Sequence, residues 1–499
     1  MFGAIGTGHG KTLIALLAGS LLQVERPIIL TAANLRQDVY TQWGRFNQHF
    51  SIHPGLRVFS YGELSTANGV GLFDQYQPDL IICDESDNLR YPTSARTGRF
   101  LRYFADCAKS GTLPYLVAMT GTITNGSILD YAHLLQLALL DNAPVPVEKG
   151  TLHRWSNVLD RDKIPNKDDF DSMAIIAPEI EDRSMSFSTA ITHCRGRYRA
   201  LLQGAFGYVY TETQSTDTPL LFQKIVLRPC PETDRIISDI RDSWVRPDGE
   251  ELCYSLEVYR LCRQVAQGFY YLWNWPGNTP DTEWLERRAL WHRAVRQVIK
   301  TEQKGYDTPF TVTRGIDTGQ LRVPAAQVCL KNWRKVSHRP PPPTVCVWLS
   351  DRVLQAVYRW ALARIDTITT GIIWYDQLAI ANALRDCGIP VLNPGDDPIV
   401  DTMPIFAAAV DSFSAGKNWQ AWQYNLILCS VGAAKMEQLI SRTHRSGQKS
   451  SVYVCWLSDS GGPLDKALNT ALDGATYIEQ TTGNPQKLNS GKWLAPIVE

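Results

Sequence analysis

Residues 6–12 read Gly6-Thr7-Gly8-His9-Gly10-Lys11-Thr12, and an apolar stretch, Leu13 to Leu22, follows at once. Glycines let the chain turn tightly, so successive backbone N–H groups can face the oxygens of one phosphate. A lysine after the last glycine reaches the outer phosphates, and the next hydroxyl ligates Mg²⁺. Gly6, Thr7, Gly8, His9, Gly10, Lys11 and Thr12 therefore form a candidate nucleotide-binding loop, with Lys11 catalytic and Thr12 a metal ligand. The strict pattern has glycine where Ile5 stands, so this is the shorter Thr-Gly-x-Gly-Lys-Thr form. A glycine-rich turn ahead of a core helix gives the same local pattern, with His9 as a spacer. Such a loop needs a strand before it and a helix after it, which points to an α/β fold.

Outward from the loop, short apolar runs alternate with helical stretches. Phe2–Ile5, Pro27–Leu30, Arg57–Phe59, Leu80–Cys83 and Leu116–Met119 read as strands. Thr12–Leu22 and Leu35–Phe46 read as helices. That alternation predicts a parallel sheet covered on both faces. A second α/β region follows, with strands at Thr344–Leu349, Gly371–Trp374, Ile405–Ala408, Leu426–Cys429 and Val452–Trp456. Gln377–Asp386 and Met436–Thr443 read as its helices. Between the two lies a stretch rich in Arg, Trp and Tyr, where Trp284, Trp291, Val295 and Val298 share a helical face. It reads as a mostly helical insertion ending at the stiff run Pro340–Pro343. The expected division is a first lobe over 1–218 and a second over 219–499, with the insertion at about 235–340.

Two further segments carry chemistry. Asp79-Leu80-Ile81-Ile82-Cys83-Asp84-Glu85 is an apolar strand ending in two carboxylates, at the sheet edge where ligands bind. Asp84 is placed as a Mg²⁺ ligand and Glu85 as the general base that polarises water. Late in the chain, Gln438, Arg442 and Arg445 fall at i, i+4 and i+7. On a helix they would share one face, and two guanidinium forks aimed together suit a polyphosphate. A solvated charged face is the bland alternative.

The chain has 499 residues, with 44% hydrophobic and 20% charged, which excludes a disordered tail or a small disulfide scaffold. Fifty basic and fifty acidic residues cancel, so bulk charge does not drive any partner. A local basic groove remains compatible with that sum. The eleven cysteines include no Cys-x-x-Cys pair, which argues against structural zinc and fits a reducing cytoplasm. No basic leader precedes the first apolar stretch and no run is long enough for a membrane span.

Taken in order, these motifs resemble those of the Swi/Snf-type ATPases of helicase superfamily two. Gly6–Thr12 looks like motif I, Ile29–Ala33 through Trp43 like motif Ia, and Asp84-Glu85-Ser86-Asp87 like a DEAH-box motif II. Thr120-Gly121-Thr122 with Asn125 looks like motif III, Gly371–Tyr375 like motif IV, Ser412–Gln420 like motif V, and Gln438–Gln448 like motif VI. The Gly416-Lys417-Asn418-Trp419-Gln420 form is similar to bacteriophage-encoded members, as are Gly268–Trp273 and Trp284-Leu285-Glu286. The resemblance implies two RecA-like lobes with ATP between them. Lys11, Thr12, Asp84 and Glu85 would come from the first lobe, and Gln438, Arg442 and Arg445 from the second. It implies ATP and Mg²⁺ as ligands, duplex DNA as the partner, and phage replication or recombination proteins as possible associates in a host cytoplasm. Thr120–Thr122 would couple the ATP site to DNA. Asp87 stands in place of the DEAH histidine, and Trp419 in place of a leucine. The glutamine motif that reads adenine in the family lies upstream of motif I, where this sequence has only five residues.

Basic residues interleaved with aromatics mark candidate DNA contacts: Arg195, Arg197 and Arg199 around Tyr198; Arg287, Arg288, Arg293, Arg296 and Lys300; and Lys331, Arg334, Lys335 and Arg339 beside Trp333. Solvated helix surfaces over core tryptophans are the favoured reading of each cluster. The function expected is a DNA-dependent ATPase that translocates on duplex DNA. A strand-separating DNA or RNA helicase is the alternative within the enzymes, and a non-hydrolysing nucleic-acid-binding scaffold the alternative outside them.

Overall fold

The computed structural model describes the chain except residues 7, 67–70, 93, 125, 182–184, 214–215, 302–305, 307 and 414–417. Its strands are β1 (Phe2–Ala4), β2 (Pro27–Thr31), β3 (Arg57–Ser60), β4 (Leu80–Asp84), β5 (Tyr115–Thr120), β6 (Tyr208–Tyr210), β7 (Leu220–Val226), β8 (Phe269–Trp273), β9 (Thr344–Trp348), β10 (Gly371–Tyr375), β11 (Ile405–Ala409), β12 (Tyr424–Ile427), β13 (Val452–Ser458), β14 (Lys492–Trp493) and β15 (Ile497–Val498). The fold is α/β with two parallel sheets. The first has the order β3-β2-β4-β5-β1-β6, and the second β11-β10-β12-β13-β7-β14, with β15 also on β7.

Alternation along each strand builds two cores per sheet. In the first sheet Ile5, Ile29, Leu80, Ile82, Val117 and Met119 join one cluster. Their neighbours Ala4, Ile28, Leu30, Ile81, Cys83 and Ala118 join the other. Successive side chains point to opposite faces, and both faces are covered by helices, so every position of β4 is buried. The second sheet repeats this, with Ile373, Ala407, Leu426 and Cys455 on one side. Trp374, Phe406, Ile427 and Trp456 lie on the other.

One expected strand changes its sheet, and β6, β7, β8, β14 and β15 are strands not read from the sequence. Thr344–Leu349 does not join the second parallel sheet: β9 pairs antiparallel with β8 in a separate ribbon. Its half-exposed pattern suits a ribbon rather than a sheet interior. Leu220–Val226, not read as a strand from sequence, lies between β13 and β14 in the second sheet. Gln223 and Lys224 interrupt its apolar run.

The stretch after the first lobe divides by packing. Ile237, Ile240, Leu261 and Val265, from helices Pro231–Ser243 and Ser255–Ala266, share the core of the second sheet. Helices Thr282–Thr301, Pro309–Asp317 and Pro324–Arg334 pack around Trp291, Val295, Val298, Val312 and Leu330, a cluster of their own. The lobes touch through helix Phe187–Gly204 of the first and helix Pro463–Thr482 of the second. Arg195 donates from one to Gln480 of the other at 3.1 Å and stacks over the Tyr477 ring. All eleven cysteines are free. Among the described residues no helix is long and apolar enough to cross a membrane.

Candidate functional site

The glycine loop joins β1 to helix Lys11–Leu22. Gly8 and Gly10 have φ of 88° and 82°, which glycine adopts without the Cβ penalty of other residues. The first turn of the helix has no acidic residue and no side-chain cap, so its N–H groups face outward at the positive end of the helix dipole. Lys11 is 8% exposed. Its ammonium donates to the Ile5 carbonyl at 3.2 Å and pairs with Glu85 at 3.2 Å. Ile5 in turn donates its backbone N–H to the Thr120 carbonyl, so the Thr120–Thr122 segment is tied directly to the loop.

The carboxylates stand at the C-terminal end of β4, as expected for ligand binding in a parallel sheet. Asp84 is 5% exposed, and burial with the Glu85 charge beside it pushes its carboxyl well above the usual range. Glu85 has φ 53° and ψ 59°, a left-handed backbone that non-glycine residues rarely hold. Such strain concentrates where geometry serves a function. Glu85 Oε2 is buried with no hydrogen bond among the described residues. Asp87 lies 3.9 Å from Arg90 within the same lobe.

Arg442 and Arg445 reach the same place from the second sheet. Helix Ala433–Ile440 ends before them, so they leave successive turns and do not continue a helical face. This corrects the expected i, i+4, i+7 geometry. Ser441, Thr443 and Ser446 supply hydroxyls that compete for backbone groups; Thr443 Oγ1 sits 3.3 Å from the Ile440 carbonyl. Burial, and then Arg445, hold Arg442 at about 10, below the ordinary guanidinium range, against the pull of Glu85 and Asp38. Burial alone lowers Arg445.

Gly8, Gly10, Lys11, Thr12, Asp84, Glu85, Arg442 and Arg445 line one cavity of about 290 Å³ between the lobes. Gln438, in the helix before the turn, is not among the lining residues. Gly6 and His9 are not among them either. Gly6 donates to Thr211 at 3.1 Å, and the His9 ring lies close over Gly6. Thr7, Asn125 and residues 414–417 of the motif V segment lie outside the described residues. The sequence reading missed Leu13, Leu35, Asp38, Val39, Gln42 and Phe46, which complete the cavity wall. Their signal was present: 35, 39, 42 and 46 recur with helical spacing. A larger groove of about 700 Å³ lies near Trp155, Ile176 and Leu201, but it shares no residue with the cleft.

The donor set fits a magnesium nucleotide. Thr12 could offer a hydroxyl and Asp84 a buried carboxylate to such a group. Among the described residues no group of three His, Cys, Asp or Glu side chains converges on a metal. A cation held by one hydroxyl, one carboxylate and phosphate oxygens needs no such group.

Many of the candidate DNA contacts are hydrogen-bonded or ion-paired within the chain, some at its surface. Arg195 bonds the carbonyls of Leu159 and Asp160, and Tyr198 is fully buried against Tyr131. Arg287 pairs with Glu283, Arg288 with Glu250, Arg293 with Glu251, Arg334 with Asp317, and Arg339 with Asp281 and Glu283. Trp273, Trp275, Trp284 and Trp333 pack edge to face on one another, 5.2–6.0 Å between centroids. The chain matches no protein-family model and no curated protein.

Proposed function

We propose that the protein is a DNA-dependent ATPase of the Swi/Snf helicase-like type, coupling ATP hydrolysis to movement on duplex DNA. One observation carries the ATPase part: Lys11, Thr12, Asp84 and Glu85 from one sheet face Arg442 and Arg445 from the other across a single cavity. The DNA part rests on the order and form of the motifs. In this reading the loop N–H groups and Lys11 hold the outer phosphates. Thr12 and Asp84 would hold Mg²⁺, which neutralises phosphate charge when bound. Lys11 must leave Glu85 to reach a phosphate, so substrate binding releases the carboxylate to accept a proton from water. Arg442 and Arg445 stabilise charge on the transferred group, a contribution of ~10³–10⁵ in rate. Because they come from the other lobe, hydrolysis depends on how the lobes close.

The test is hydrolysis measured in parallel with duplex DNA, single-stranded DNA and RNA. Duplex DNA should raise the rate, and Lys11→Ala and Glu85→Gln should each remove turnover. A rate indifferent to every nucleic acid would refute the translocase reading. Full activity in Glu85→Gln would refute its role as base.

A further inference from the structure

The arginines of the cleft sit on a turn, and a turn is a poor platform unless something holds it. Trp419 donates its backbone N–H to the Arg442 carbonyl at 2.9 Å. The next residue, Gln420, sends its side-chain Nε2 to the carbonyls of Arg445 at 3.2 Å and Ser446 at 2.7 Å. Gln448 closes the circuit from the far end of the turn. Its Nε2 donates to the carbonyls of Gln420 and Thr443, each at 2.9 Å. Behind this, the buried Asn425 bonds Thr443 Oγ1 and accepts from Trp374 Nε1, both at 3.0 Å.

We infer that Gln420 is a positioning residue for Arg442 and Arg445, its carboxamide fixing the turn from which both reach the cleft. The inference rests on the reading of these arginines as phosphate ligands. Two carbonyl oxygens face one atom of Gln420, which requires an NH₂ group there, and its two hydrogens serve both. Gly447 makes room. It has φ of +91°, and a Cβ added there would stand 3.4 Å from Gln420 Nε2. Gln420 is not among the residues that line the cavity, so its reach to the site is through the turn. Arginine side chains are long, and an ångström of drift at their base is enough to lose about a hundredfold in rate.

The decisive variant is Gln420→Glu, which keeps the shape but sets an oxygen against two carbonyl oxygens. With the full chain it should lower kcat about a hundredfold. KM for ATP should stay within about threefold and the melting midpoint close to wild type. Gln420→Ala should fall between the two in kcat, and it decides the matter if the Glu variant does not fold. Amide hydrogen exchange gives a readout apart from turnover: protection should drop over 442–450 and persist over 11–22. Wild-type kcat and unchanged exchange in Gln420→Glu would overturn the inference. So would a loss of kcat, KM and melting midpoint all together. Wild-type protein that hydrolyses no nucleotide would instead defeat the ATPase reading, while the exchange experiment would still judge Gln420.

Discussion

The interlobe cleft and the helical insertion both concentrate arginine, but they treat it in opposite ways. In the insertion, Glu251 raises Arg293, and Asp281 with Glu283 raises Arg339. In the cleft, burial lowers Arg442 and Arg445. At Arg442 desolvation outweighs what Glu85 and Asp38 return, whereas the carboxylates beside Arg293 and Arg339 win over a small desolvation. Arg288 is the instructive exception. Burial lowers it to about 10, yet it pairs with Glu250 and lies over the faces of Trp273 and Trp284, so its charge is met within the chain. A run of basic residues in a sequence therefore says little about partners until its counter-charges are known.

This contrast can be broken by experiment. Arg442→Ala and Arg445→Ala should each lower DNA-stimulated hydrolysis about a thousandfold or more. Arg293→Ala combined with Arg334→Ala should change it less than about twofold, as for exposed ion pairs. Comparable losses in both sets, measured as steady-state turnover, would erase the distinction. Next in size is Trp284→Ala. Trp284 is 5% exposed at the centre of the tryptophan cluster, so its loss should cost about 3–5 kcal/mol in denaturant unfolding. A cost under about 1 kcal/mol would make the cluster a surface platform, open to bases.

The smallest expected effect sharpens the picture of the insertion. Burial, and then Arg288, hold His292 near 3, against an ordinary 6.5. The unfolded chain therefore takes up a proton below pH 6.5 that the folded chain refuses. The stability tied to neutral His292 is full above that value and is lost as pH falls from about 6.5 towards 3. His292→Gln should show a shallower loss across this window in unfolding curves taken from pH 7 to pH 4. Equal slopes would show that His292 protonates freely.

The five strands of the first sheet expected from sequence lie within a residue or so of their observed limits. Strands buried on both faces need continuous apolar runs, and Leu80–Cys83 is such a run. β7 was hidden because Gln223 and Lys224 break its run, and Lys224 is matched by Asp465, 241 residues away. β9 was visible as a strand but not as half of a ribbon, since its partner lies on the far side of the insertion. The residue types of the cleft were legible because Gly8, Gly10, Lys11 and Thr12 fall in one short loop and Asp84-Glu85 closes a continuous apolar run. The wall formed by Asp38, Gln42 and Phe46 was not singled out, because a helical stripe looks the same whether it faces a core or a cleft.

By itself the sequence determined the α/β class, the glycine loop with Lys11 and Thr12, and the carboxylates at the end of β4. These depend on neighbours within a few residues. Tertiary structure decided that Gln438 is not among the residues lining the cavity, that Arg442 and Arg445 enter it from a turn, and that Arg287, Arg288, Arg293, Arg334 and Arg339 pair with carboxylates. Those outcomes depend on partners such as Gln420, Glu85 and Glu251, which lie tens to hundreds of residues away from the arginines they hold or face. Helical spacing can align side chains, but only packing assigns them a carbonyl, a counter-charge or an open cavity.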